Sequence, residues 1–370
     1  MNKIRLSKSS ISQAEKDAVI KVLDKEYLGM GEEVKLFEEK IKSCLHTSMD
    51  VVCVSTGTSA LHLALSALGL KEGDEVLVPS LTYVASYQSI SATGAKPISC
   101  EVNLETLFLD VEDTRKKITK NTKVIMPVHY ASSSQGMDKV YHLAKEFNLR
   151  VVEDAAQAFG SKRDGKFIGI EGDIICFSFD GIKNITSGEG GAILSNDKEF
   201  IQKVQDGRLL GVEKDTDKRY SGQRSWDFDV NNQGFRYHMS NIMAAIGIVQ
   251  IDRLKDFKIR RQVIAKKYVE ALKKIEGIQT LDFNFDEVLP HIFVVKAQKR
   301  DELRDFLILN DIECGIHYKP NHLLSRYKDE FILPITEKMY EEILTLPCHF
   351  DLSEDEQNQV IGKVKEFYEK

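Results

Sequence analysis

The chain has 370 residues, of which 42% are hydrophobic and 29% charged, with a formal net charge of −6. This is the balance of a globular protein with a sizeable core, and it excludes a disordered or fibrous chain. The negative charge and the absence of any Lys/Arg block argue against a nucleic-acid partner, and no apolar stretch is long enough to span a membrane.

The start, Met1 to Ser7, lacks the apolar centre of a secretion signal. Cys44, Cys53, Cys100, Cys176, Cys314 and Cys348 are scattered without a Cys-x-x-Cys pair. They read as small core residues of a reduced, cytoplasmic protein with no metal site. From about residue 50, short apolar runs alternate with helical patterns. The runs are 51–54, 75–78, 96–100, 124–128, 150–152, 174–179 and 192–194, with amphipathic segments at 59–70, 82–93 and 137–147. Continuous β-branched runs suit strands covered on both faces, so the pattern predicts an α/β fold with a mostly parallel sheet of seven strands. Ligands of such sheets bind at the carboxyl ends of the strands. Residues 196–233 are polar and glycine-containing and read as a mobile excursion or lid. One long helix is expected from about Ser240 to Ile275, followed by a smaller α+β region. The expected division is 1–250, an arm and large domain, and 251–370, a small domain.

Three motifs lie at predicted strand ends. Ser55-Thr56-Gly57-Thr58-Ser59 follows a strand and opens a helix, so Gly57, Thr58 and Ser59 offer amides and hydroxyls at a positive helix end. It is neither a P-loop nor a dinucleotide turn, and it also fits an ordinary N-cap. His62, among Leu and Ala, reads as a packed helix residue. Tyr83, at the start of the next helix, can lie on a ligand ring or simply pack in a core. Asp154, in Glu153-Asp154-Ala155-Ala156-Gln157, can sit under a ring nitrogen or cap a following helix. Lys183 stands in a glycine-rich stretch after the run 174–179, where lost solvation would make its amine a nucleophile. Taken together these are the parts of a pyridoxal 5′-phosphate site.

The order Gly57-Thr58-Ser59, Thr82-Tyr83, Glu153 to Gln157, Ser178…Lys183-Asn184 and Gly188-Glu189-Gly190-Gly191 resembles the DegT/StrS family of sugar aminotransferases. The likeness runs nearly end to end, through Gly234-Phe235-Arg236-Tyr237-His238-Met239 and His317-Tyr318-Lys319-Pro320-Asn321-His322. It implies the type I pyridoxal phosphate-dependent transferase fold. Lys183 would bind the cofactor covalently and shuttle protons, Asp154 would pair with the ring nitrogen, and Gln157 would lie by the ring hydroxyl. Tyr83 would stack on the ring, while Gly57, Thr58, Ser59 and Ser178 would hold the phosphate. His317 and His322 would face the substrate cleft, unless they are solvated polar residues. Arg236 replaces the family's usual Asn, which crosses a homodimer interface to the neighbouring phosphate; a substrate phosphate or a surface ion pair are its other readings. His238 stands where the family commonly has Arg.

The resemblance implies transfer of an amino group from glutamate to a keto sugar attached to a nucleotide. The alternatives are a small phosphorylated ketone as acceptor, a sugar dehydratase, in which family members carry His in place of the lysine, and a non-catalytic regulator.

Overall fold

Strand alternation sends successive side chains to opposite faces, and here both faces find helices. A computed structural model describes residues 3–328 and 331–369. Helices α1 (Gln13–Asp24) and α2 (Glu32–Leu45) precede β1 (Asp50–Val54), α3 (Gly57–Ala67), β2 (Glu75–Pro79), α4 (Val84–Ser91) and β3 (Lys96–Cys100). Then come α5 (Val111–Lys116), β4 (Thr122–Ile125), α6 (Met137–Glu146), β5 (Arg150–Asp154), a small hairpin of β6 (Lys162–Arg163) and β7 (Lys166–Phe167), β8 (Ile174–Ser178) and β9 (Gly191–Ser195). The large sheet has the order β1-β9-β8-β5-β4-β2-β3, and only β9 runs against its neighbours. This is the expected mostly parallel sheet of seven strands.

Val52, Val54, Val76, Val78, Val152 and Ile174 face one side with α3 and α4. Val51, Cys53, Ile175, Phe177 and Leu194 face the other with α2. On that second side Phe37, Phe159, Phe177 and Phe179 meet edge to face, with ring centroids 5.2 to 5.4 Å apart. Each such pair adds about 0.5–1.5 kcal/mol beyond the area it buries. All six cysteines are free, four of them buried, as expected of small core residues.

Residues 196–233 are not one mobile excursion. Helix α7 (Lys198–Gly207) buries Phe200, Ile201 and Val204 against the sheet, a stripe at helical spacing among charged neighbours. After it, Arg208 is wholly buried. Its Nη1 donates to Glu38 Oε1 (2.7 Å) and the Cys53 carbonyl (2.8 Å), and its Nη2 to the Tyr220 hydroxyl (2.8 Å). Tyr220 closes α8 (Thr216–Tyr220) and donates to Glu38 Oε2. Only the stretch beyond α8 is largely exposed, with Trp226 at 87% exposure.

The long helix predicted from Ser240 is two helices, α9 (Asn241–Asp252) and α10 (Leu254–Leu272), which meet at Arg253. That junction is where α1 docks. Glu15 forms a capping box with Ser12 and accepts from Arg253 Nη1 (2.5 Å) and Gln250 Nε2 (2.7 Å). Burial alone would raise the Glu15 carboxyl, but the bonds from Ser12, Arg253 and Gln250 outweigh it and bring it from 4.5 down to about 2. A depressed carboxyl stabilises the fold above its unfolded pKa, and that stability is lost as pH falls through the folded value. Glu15→Gln should therefore be less stable than wild type near pH 7, by on the order of 2 kcal/mol. The gap should shrink between about pH 4.5 and 2. Urea unfolding at several pH values checks this, and a gap that widens on acidification would refute it.

The remaining chain builds a small antiparallel sheet, β10 (Ile278–Thr280), β11 (Phe293–Ala297) and β12 (Ile343–Leu346), with α11 (Arg300–Leu309), α12 (Pro334–Glu342) and α13 (Glu354–Glu369). Ile4 from the amino end joins its core, and its backbone pairs with Asp311 and Glu313. Glu101, just past β3, accepts from the Ile335 and Thr336 amides and so caps α12. Among the described residues, no helix is long and apolar enough to cross a membrane.

Candidate active site

The carboxyl ends of β1, β5 and β8 and the amino end of the reversed β9 meet at one edge of the sheet. Gly191 pairs with both Val54 and Ser178, and Cys176 pairs with Asp154, so the register brings these ends together. Above them α3 begins. Its cap is Thr56, within the stretch singled out in the sequence: Thr56 Oγ1 accepts from the Ser59 amide, and Ser59 Oγ accepts from the Thr56 amide, both at 2.9 Å. The amides of Gly57 and Thr58 precede the first intrahelical bond, from Ala60 to Thr56. They point outward from a positive helix end, as an anion requires. A Cβ on Gly57 would stand 2.6 Å from Ser178 Cβ, and one on Gly191 would stand 2.4 Å from the Thr56 carbonyl oxygen. Neither position has room for a side chain: Gly57 is closed in by Ser178 and Gly191 by the Thr56 backbone.

Asp154 is buried at the end of β5. Its Oδ2 accepts from Ser86 Oγ (2.7 Å), and its Oδ1 from the Ala156 amide (3.2 Å). Turns rather than a helix follow it, so it caps no helix. Glu153 faces the opposite way, bonded to His129 Nε2 and the Tyr141 hydroxyl, each at 2.6 Å. Gln157 accepts from the Ala131 amide (2.8 Å) and donates to the Tyr318 hydroxyl (3.1 Å). Tyr318 lies 5.5 Å from Tyr83, ring centre to ring centre. Tyr83 is 58% exposed rather than packed in the core. Ser86 and Tyr318 were not singled out from sequence, although both lie in quoted stretches; a hydroxyl carries no signal of its partner 68 residues away.

Lys183 is half-buried on the turn after β8. Burial pushes its amine below the usual lysine range, against the pull of Asp154 and Asp180. The next residue holds the turn in place: Asn184 Nδ2 donates to the carbonyls of Gln157 (3.1 Å), Phe159 (3.0 Å) and Leu289 (3.2 Å). The Lys183 Nζ lies 3.5 Å from Nε2 of His291, a buried residue unremarked in the sequence because a lone His before a strand carries no spacing signal. His317 is near as well. Its Nδ1 is 2.8 Å from Thr345 Oγ1, and burial, with the Lys183 charge, brings it down to about 4. His322 is buried, with Nδ1 2.7 Å from Ser80 Oγ and Nε2 3.2 Å from Glu337 Oε1. Neither is a solvated surface residue, and both His322 nitrogens are engaged within the chain.

Residues 235–238 lie against the end of β1, where the Ser55 amide donates to the Tyr237 carbonyl (2.7 Å). Phe235 and Tyr237 stack on each other and against His62, which packs as predicted, with Nδ1 3.0 Å from the Tyr237 hydroxyl. Arg236 is exposed, and no ion pair to it forms among the described residues. His238 is brought down to about 4 by burial and then by Arg236, Arg219 and Arg208.

This donor set fits pyridoxal phosphate: free helix-start amides beside Ser178 for a phosphate, a buried carboxylate for a ring nitrogen and a desolvated amine for an aldehyde. Comparison with known proteins agrees. The chain is 37% identical over 373 residues to GDP-perosamine synthase of Escherichia coli O157:H7, covering 100% of this chain and 99% of that protein. Among solved structures it is similar to Spr1654 from Streptococcus pneumoniae in its PMP-form, with 30% identity, a TM-score of 0.91 and 99% of each chain covered; a PLP-form of that protein is also known. It is likewise similar to the aminotransferase TlmJ from Streptoalloteichus hindustanus, at 30% identity, a TM-score of 0.91 and 98% of each chain. The model of the DegT/DnrJ/EryC1/StrS aminotransferase family matches residues 9–365, and the chain belongs to that family of pyridoxal phosphate-dependent enzymes.

Proposed function

We propose that this aminotransferase takes an amino group from glutamate and delivers it to a keto group of a nucleotide-linked deoxy sugar, working in the cytoplasm as a homodimer. The observation that carries the chemistry is the meeting of a desolvated Lys183 with a buried Asp154 at one sheet edge. The choice of acceptor is supported by the end-to-end likeness to a GDP-perosamine synthase.

Pyridoxal phosphate, when bound, supplies the electron sink that lets a C–H bond beside an amine ionise. Lys183, whose amine burial holds below the usual lysine range, would bind it covalently and, once free, would carry the proton. Asp154, aligned by Ser86 and the Ala156 amide, would hold a proton on the ring nitrogen. The Gly57, Thr58 and Ser59 helix start and Ser178 would hold the phosphate, with Tyr83 and Gln157 as further residues to hold the ring. His317 meets the substrate through the nitrogen not turned to Thr345, and His322 fixes the same loop from behind through Ser80 and Glu337. Exposed Arg236 reaches the phosphate in the second copy's cleft.

The test loads the protein with pyridoxal phosphate, adds glutamate and follows the visible absorption. Bleaching should accompany release of 2-oxoglutarate, and the colour should return with a keto-sugar nucleotide. Return only with small phosphorylated ketones would overturn the acceptor, and loss of water without amino transfer would mean a dehydratase. A protein that takes up no pyridoxal phosphate would be a regulator.

A further inference from the structure

The His291 imidazole is buried against Lys183, and its other nitrogen, Nδ1, is buried with no hydrogen-bond partner among the described residues. Its backbone is held on both sides. The amide donates to Ser132 Oγ (3.0 Å), which in turn donates to the Gln157 carbonyl, and the His291 carbonyl accepts from Arg261 Nη1 (3.2 Å). The ring is thus tied to the same segment that carries Asp154 and Gln157.

We propose that His291 is a positioning residue for Lys183: it carries its hydrogen on Nε2 and donates it to the uncharged amine. A neutral imidazole can place that hydrogen in two ways. On Nδ1 it would be a buried donor without an acceptor, which native structures rarely tolerate. On Nε2 it leaves only a bare lone pair at Nδ1, the smaller penalty. The doubly protonated ring is disfavoured by burial and then by the charges of Lys183, Arg261 and His317.

A donor aimed at Nζ needs a lone pair there, which an ammonium lacks. The contact therefore forms with the free base alone and shifts Lys183 toward it. The groups facing the amine pull in different directions. Asp154 at the end of β5 and Asp180 on the turn after β8 favour the ammonium. His317 is held uncharged near neutrality. The Tyr318 phenol stays protonated, because burial and Asp154 raise it. His291 is the neighbour that selects for the base. The proposal rests on Lys183 being the reactive amine: once released from the cofactor, Lys183 must take a proton from the substrate carbon, and only its uncharged form can do so.

The experiment reads Lys183 directly in the cofactor-free protein. Trace labelling with acetic anhydride across pH, with the Lys183 peptide quantified by mass spectrometry, gives the amine's titration. His291→Phe should move the midpoint upward by roughly one unit, lowering labelling below the midpoint about tenfold. His291→Gln, which keeps a donor near the Nε2 position, should restore most of it. Coincident wild-type and His291→Phe profiles, a downward shift, or identical Phe and Gln profiles would overturn the proposal. Nitrogen-15 spectra of histidine-labelled wild type need no variant to fold; they should show His291 protonated at Nε2, and protonation at Nδ1 would equally overturn it. Labelling reports the basicity of Lys183 whether or not that residue is catalytic, so failure here is distinct from failure of the functional reading, which turnover of Lys183→Ala tests.

Discussion

Alanine at position 183 should abolish amino transfer, with kcat falling at least about 10³-fold, because the proposed role of this one side chain is both to anchor the cofactor and to move the proton. Nothing nearby can substitute. His291 and His317 are both held below the usual imidazole range by burial, and neither can form the nitrogen–carbon link that a primary amine makes. The variant should still take up pyridoxal phosphate, because the helix start, Ser178 and Asp154 are untouched. Borohydride reduction should fix the cofactor to the Lys183 peptide of wild type and release it freely from Lys183→Ala. Turnover within tenfold of wild type would end the assignment.

Replacing Arg208 by Met should cost about 3–5 kcal/mol of stability, the usual penalty for leaving one member of a buried ion pair uncompensated. Burial works against the guanidinium charge, and Tyr220 and Glu38 more than offset it, so Arg208 is held above its ordinary range. Without it the Glu38 carboxylate keeps only the Cys53 amide and the Tyr220 hydroxyl. Changing Glu38 to Gln in the same background removes the orphaned charge and should recover much of the loss. Urea unfolding of the single and double variants measures both effects; a single variant within about 1 kcal/mol of wild type would show that the triad contributes little.

The sheet was legible because its strands are buried on both faces and leave uninterrupted apolar runs. The gathering of the Gly57 helix start, Asp154 and Lys183 at one sheet edge was legible because glycines, an acid and a lysine stand at the ends of those runs. What stayed hidden depends on partners distant in sequence. The buried stripe of α7 is three residues among charges, and Arg208 looks like any surface cation until Glu38, 170 residues away, neutralises it. The break at Arg253 coincides with the docking of Glu15, a contact 238 residues away in sequence. His291 faces Lys183 across 108 residues and has no motif of its own.

The exposed stretch beyond α8 returns to the sheet through Tyr237, whose carbonyl holds the Ser55 amide, next door to the residue that caps α3. Grafting that stretch from a cousin would thus tug on the start of α3, where the vitamin's phosphate is proposed to sit. A designer who retunes the exposed stretch inherits a change at that helix start.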